Sequence, residues 1–114
     1  MDLSHRTLGN AMIVSPAGRI DQSSAEAFQC ALMPYLASCK RDGAPLVLDF
    51  SGVEYISSVG LRVLMLAARQ VKVQDGRFAI AALQSVVKEV FEISRFNLVL
   101  EVFDTVEAAS ESFA

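Results

Sequence analysis

From Pro45 to Phe50 the chain runs Pro-Leu-Val-Leu-Asp-Phe, in which Asp49 is the one polar side chain. A strand this apolar has no face to offer to water, so it belongs in the middle of a sheet covered on both sides. After it, from Val59 to about Val73, Leu61, Leu64, Met65, Ala68 and Val71 recur at helical spacing. Val63, Leu66 and Ala67 are apolar as well but lie off that stripe. The helix is therefore greasier than one buried face requires, which leaves core packing and a protein-binding face as its two explanations.

The remaining segments extend this pattern. Thr7-Leu8 and Ala11–Val14 read as short strands joined at Gly9-Asn10, a pair suited to a tight hairpin, and Pro16 and Gly18 end the second strand. Ser23-Ser24-Ala25-Glu26 fits a capping box with Ser23 as N-cap. The helix it opens carries Ala25, Phe28, Leu32, Tyr35, Leu36 and Cys39 on one face, and Pro34 is expected to kink or split it. Asp42-Gly43 and Asp75-Gly76 mark turns, and Phe78–Ala81 reads as a strand. Ser85 is placed to cap a short helix with Val86, Val87, Val90 and Phe91 inward. Leu98 to Val102 reads as a last strand, and Asp104–Glu107 as a second capping box before a helix running to about Phe113. The order strand, strand, helix, then strand and helix three times over, implies an α/β fold with a mixed, mostly parallel sheet and about four flanking helices.

At 114 residues the chain is expected to form one domain, 1–114. Hydrophobic residues make up 53% of it, yet no apolar run reaches the ~18 residues of a membrane span, and the N-terminal Met1–Arg6 has no apolar signal core. These features imply a cytoplasmic protein without membrane insertion. With a net charge of −3 and scattered basic residues, direct nucleic-acid binding is not expected. Cys30 and Cys39 are too far apart along one helix to pair and are expected to be small buried or half-buried hydrophobes. His5 is the one histidine, so no His-based metal site is expected, and no cofactor is implied.

Catalytic patterns are missing too. There is no Gly-x-x-x-x-Gly-Lys loop and no Gly-x-Gly-x-x-Gly; the one histidine, His5, lies near the N-terminal end, and no lysine follows Ser57 or Ser58 at helical spacing. Asp21, Asp49 and Glu54 could in principle gather near the helix start and hold a metal, but solvated loop carboxylates are the commoner reading. What stands out is Ser57-Ser58 at the start of the Val59–Val73 helix, where unpaired N–H groups and the positive end of the dipole favour either a capping hydroxyl or a phosphate. A phosphoserine adds about −1.5 to −2 charges at pH 7.

The run Leu46–Val53, then Tyr55-Ile56-Ser57-Ser58-Val59-Gly60-Leu61-Arg62, resembles the signature of STAS domains, the anti-sigma factor antagonists and their relatives. Upstream, Gly18-Arg19-Ile20-Asp21 resembles that family's Gly-Glu-Leu-Asp, and the likeness extends from about Thr7 to Phe113, the core of the domain. The resemblance implies the STAS fold and a phosphorylation-switched binding protein with no catalysis of its own. Unphosphorylated, it would sequester an anti-sigma factor that doubles as a serine kinase of the histidine-kinase-like ATPase type, and so release a sigma factor. A PP2C-type phosphatase would restore the serine.

Ser58 matches the family's phosphorylated serine, counting back two from Gly60. Ser57 stands where many members carry Asp and is the second candidate. By the same resemblance Arg19, Asp21, Glu54, Val59, Gly60 and Arg62 gather with the serines on the partner-binding face, and Leu66 joins them as an off-stripe apolar residue. Arg62, one turn after Ser58, is placed either to pair with a phosphate or simply to be solvated. Asp21 has a second reading as an acid serving a helix dipole. Relatives of this size are commonly monomers. The alternative the family offers is a docking subunit of a lipid-transport ABC complex or of a stressosome-type assembly, which needs no hydroxyl at the helix start.

Overall fold

The computed structural model describes residues 3–113. Five strands form the main sheet: β1 (Ser4–Leu8), β2 (Ala11–Ser15), β4 (Leu46–Asp49), β6 (Phe78–Ala81) and β7 (Glu101–Phe103), in the spatial order β1-β2-β4-β6-β7. The other two strands, β3 (Ala17–Ile20) and β5 (Gly52–Ile56), pair with each other as a separate parallel ribbon. The β1–β2 hairpin is antiparallel, and every other pairing in the main sheet is parallel. Its turn sits at Gly9, whose φ of +61° suits a residue without Cβ.

As the Pro45–Phe50 run implies, β4 lies in the centre, between β2 and β6. Its side chains alternate between the two layers of core. Leu46 and Leu48 pack with Phe28 and Leu32 of helix α1 (Ala25–Ser38), Leu61 and Leu64 of α2 (Ser58–Val73), and Val87 and Phe91 of α3 (Ser85–Ile93). Val47 turns the other way, toward Val106 and Ala109 of α4 (Val106–Ser112). Strand periodicity of two thus puts three helices on one side of the sheet and one on the other. Four helices and a mostly parallel mixed sheet are what the segment order implies.

Several local expectations change. Ser24, not Ser23, stands at the N-cap of α1, and its hydroxyl makes no capping bond. Helix α1 continues through Pro34 to Ser38 unbroken; Pro34 and Cys30 are both exposed, so the one carbonyl deprived of its partner is on the solvent side. On α2, Val63 and Ala67 are buried with the stripe, whereas Met65 and Ala68 are only half-buried. Val86 of α3 faces solvent. Leu98 belongs to a 3₁₀ turn, Phe96–Leu98, because Arg95 at φ +57° reverses the chain there, and the last strand begins only at Glu101. Thr105, rather than Asp104, caps α4 by accepting from the Ala108 N–H at 3.0 Å. Cys39 is buried, and its thiol donates to the Arg77 carbonyl at 3.1 Å; Cys30 is exposed, contrary to its reading as a semi-buried hydrophobe.

Candidate functional site

The β3–β5 ribbon is what assembles the site. Arg19 pairs with Tyr55 and Ile20 with Ile56, after a register shift between Gly18 and Arg19. The ribbon ends where the Ser57 N–H donates to the Ile20 carbonyl at 2.9 Å. Two segments 37 positions apart in sequence, Gly18–Asp21 and Tyr55–Ser58, therefore leave the ribbon side by side.

Helix α2 starts at this junction. Ser57 is its N-cap, with extended backbone, and its Oγ accepts from the Gly60 N–H at 3.3 Å. Ser58 is the first helical residue; it is exposed, and among the described residues its hydroxyl has no hydrogen-bond partner. Gly60 is needed for close approach. A Cβ there would meet Ile56 Cγ1 at 2.7 Å, Ile20 Cγ2 at 2.9 Å and the Ile20 carbonyl oxygen at 3.0 Å. Any larger residue would push the first turn of α2 off the ribbon and carry both serines with it.

On the other side of the junction, Asp21 organises the turn into α1. Its Oδ1 accepts from the Ser23 N–H at 3.0 Å and from the Ser23 hydroxyl at 2.7 Å. Ser24 Oγ donates to the Arg19 carbonyl at 2.8 Å and accepts from the Asp21 N–H at 3.0 Å. The Ser23 hydroxyl is the largest influence holding the Asp21 carboxyl below its usual range; partial burial opposes it, while the Ser23 N–H, Ser24 and the Arg19 charge add to it. Arg19 lies with its guanidinium carbon 4.5 Å from the centre of the Tyr55 ring and its Nε 3.7 Å from Asp21 Oδ2.

Of the residues singled out from the sequence, Arg19, Asp21, Ser57, Ser58, Val59 and Gly60 come together at this junction. Glu54 is exposed on β5, and Arg62 is exposed one turn into α2. Leu66 is 40% exposed, which places it outside the core, two turns beyond Ser58. Asp49 is elsewhere: at the end of β4 it accepts from the Ser51 N–H at 3.0 Å and faces Arg6 at 4.0 Å. Among the described residues no three His, Cys, Asp or Glu side chains could share a metal ion. Tyr55 was missed. Its signal was the alternation from Val53 to Tyr55, a strand pattern hidden by the brevity of the segment.

A family model described as "STAS domain" matches residues 3–109. Over 113 residues the chain is 33% identical to a protein of Bordetella bronchiseptica that carries the provisional name of anti-sigma factor antagonist BtrV; the match takes in 99% of this chain and 95% of that protein. Among solved structures, an anti-sigma factor antagonist from Mycobacterium paratuberculosis superposes with a TM-score of 0.84 at 22% identity, covering 96% of this chain and 91% of that one. The Bacillus cell fate determinant SpoIIAA, solved in its phosphorylated form, superposes with a TM-score of 0.68 at 13% identity over 98% of this chain and 99% of its own. Both structures share the fold with this chain. Among the described residues no helix is long and apolar enough to cross a membrane.

Proposed function

The chain belongs to the STAS domain family, and from that premise we propose that it is an anti-sigma factor antagonist switched by phosphorylation of Ser58. The observation that carries this reading is the division between the two serines. Ser57 Oγ is engaged by the Gly60 N–H, while the Ser58 hydroxyl is exposed and, among the described residues, unengaged at the head of α2. A hydroxyl that no fold contact needs is one a kinase can modify without unfolding its substrate.

Unmodified, the junction is small and neutral and seats an anti-sigma factor of the histidine-kinase-like ATPase type, which also phosphorylates the serine. Modified, it presents a dianion close to Asp21 and Glu54. Burying such a charge unpaired against a partner costs several kcal/mol. About 3 kcal/mol already weakens binding more than a hundredfold. A PP2C-type phosphatase resets the switch, so the chain is a substrate and a binder, with ATP and magnesium belonging to the kinase. The relative with 33% identity, named as an antagonist, supports this reading.

Site-mapped tandem mass spectrometry of the chain purified from its native cells tests it. The expected result is one phosphate on Ser58. A phosphate on Ser57 would move the switch one residue. An unmodified mass under all growth conditions, even with phosphatases inhibited, would end the switch reading and leave the domain as a docking subunit.

A further inference from the structure

We infer that the outward face of α2, along its full length, is a docking ridge for a protein surface that is both apolar and acidic. The inference rests on the antagonist reading above and supplies the chemistry of the partner's face.

Charge is segregated onto this helix. Over Ser58–Val73 it carries Arg62, Arg69 and Lys72 and no acidic residue, although the chain holds 13 acids and 10 bases. With those three bases set aside, 7 bases remain against 13 acids, a balance of −6 around a helix of +3. Among the described residues none of the three is in an ion pair; the pairs formed are Arg6–Asp49 and Arg19–Asp21. A merely solvated helix face is ordinarily laced with acid–base pairs four apart and favours acids in its first turn. This one has neither.

The apolar residues follow the same line. Val59, Leu66 and Val73 are 42%, 40% and 84% exposed and lie seven residues apart. At roughly 100° per residue they drift by only about 20° per step, so they form a seam about 21 Å long. By the same count Arg62 and Arg69 both run along one edge of that seam, and Ser58 heads that edge. A nucleic acid would call for many more cations than this, and a membrane surface for a wider apolar face. Three apolar side chains with two arginines along one edge, neither in an ion pair among the described residues, match a protein face with its own apolar seam and carboxylates on one side of it.

Ser58 is therefore the head of a cationic ridge. A phosphate there brings about −2 charges to a helix of +3. It lowers the attraction along the ridge as well as obstructing contact at its head, so modification slows association in addition to weakening the complex.

The test is a kinetic titration of the chain with each purified histidine-kinase-like ATPase of the source organism, at 50 and at 300 mM salt. The variants are Arg69→Glu and Val73→Ser, both remote from the serines, with Lys88→Glu on α3 as control. Arg69→Glu is expected to slow association roughly tenfold at 50 mM salt, with the gap closing at 300 mM. Val73→Ser is expected to speed dissociation several-fold, and Lys88→Glu to change neither rate. Circular dichroism checks each fold, and Arg69→Gln replaces the reversal if that variant unfolds. An ATPase that binds wild type and both ridge variants with equal rates at both salts would overturn the ridge and leave the antagonist reading intact. Failure of every ATPase to bind wild type would remove the antagonist reading, and the ridge with it.

Discussion

Ser57 and Ser58 are adjacent and chemically identical, yet the helix start gives their hydroxyls different surroundings. Ser57 Oγ accepts the Gly60 N–H, one of the donors that the first turn of any helix leaves without a partner. Ser58 Oγ has no such bond among the described residues. Ser57→Ala should therefore cost about 1 kcal/mol of stability, the usual effect of losing a serine cap. Ser58→Ala should stay within about 0.5 kcal/mol, as for an ordinary surface change. Urea unfolding of the two variants measures both. Equal losses would mean that the hydroxyls share the capping role, and that Ser58 is not free for modification. The Ser-Ser-x-Gly pattern alone could not say which of the two residues caps the helix, because either serine is a good cap; the ribbon decides which one sits at the cap position.

That ribbon is the part of the fold the sequence hid. β3 is four residues long, contains Gly18, and follows Pro16, so it looks like the end of a preceding strand. β5 begins at Gly52, and its core-facing residues are Val53 and Ile56, three apart instead of two. The register shift between Gly18 and Arg19 absorbs that irregularity. The central strand, the α2 helix and the hairpin were legible because each has a clean period or an unmistakable turn. Ile20 and Ile56 do not announce that they pair, since the contact depends on two segments far apart in the chain. If the ribbon holds the site together, the Ser57 amide, bonded to the Ile20 carbonyl at 2.9 Å, should resist hydrogen exchange although it precedes the helix. Protection of at least roughly tenfold over the unstructured rate is expected by NMR at neutral pH. Free exchange at Ser57, with the amides of β4 still protected, would show a ribbon that opens on its own and a site without a fixed geometry.

At the scale of the whole molecule the question is whether a switch at Ser58 changes the fold or only the surface. The core lies elsewhere: one layer gathers Phe28, Leu48, Leu64 and Phe91, the other Ile13, Val47 and Phe113, and Ser58 belongs to neither. A phosphate on Ser58 would sit at the positive end of a 16-residue helix whose first turn has no acid to compete with it. The dipole favours that charge by about 0.3–1 kcal/mol. Arg62, four residues on, adds about 0.3–0.5 kcal/mol as a helical pair. Repulsion from Asp21 and Glu54 subtracts from this and is screened by salt at exposed positions. The balance predicts that the chain carrying phosphoserine at 58 melts at the same temperature as the unmodified chain or a few degrees higher. Arg62→Gln should remove part of any gain. A thermal melt followed by circular dichroism measures this directly. A melting point several degrees lower, with loss of the near-ultraviolet signal, would mean that modification loosens the fold itself. Partner release would then follow from unfolding of the α2 start instead of from charge on an intact surface.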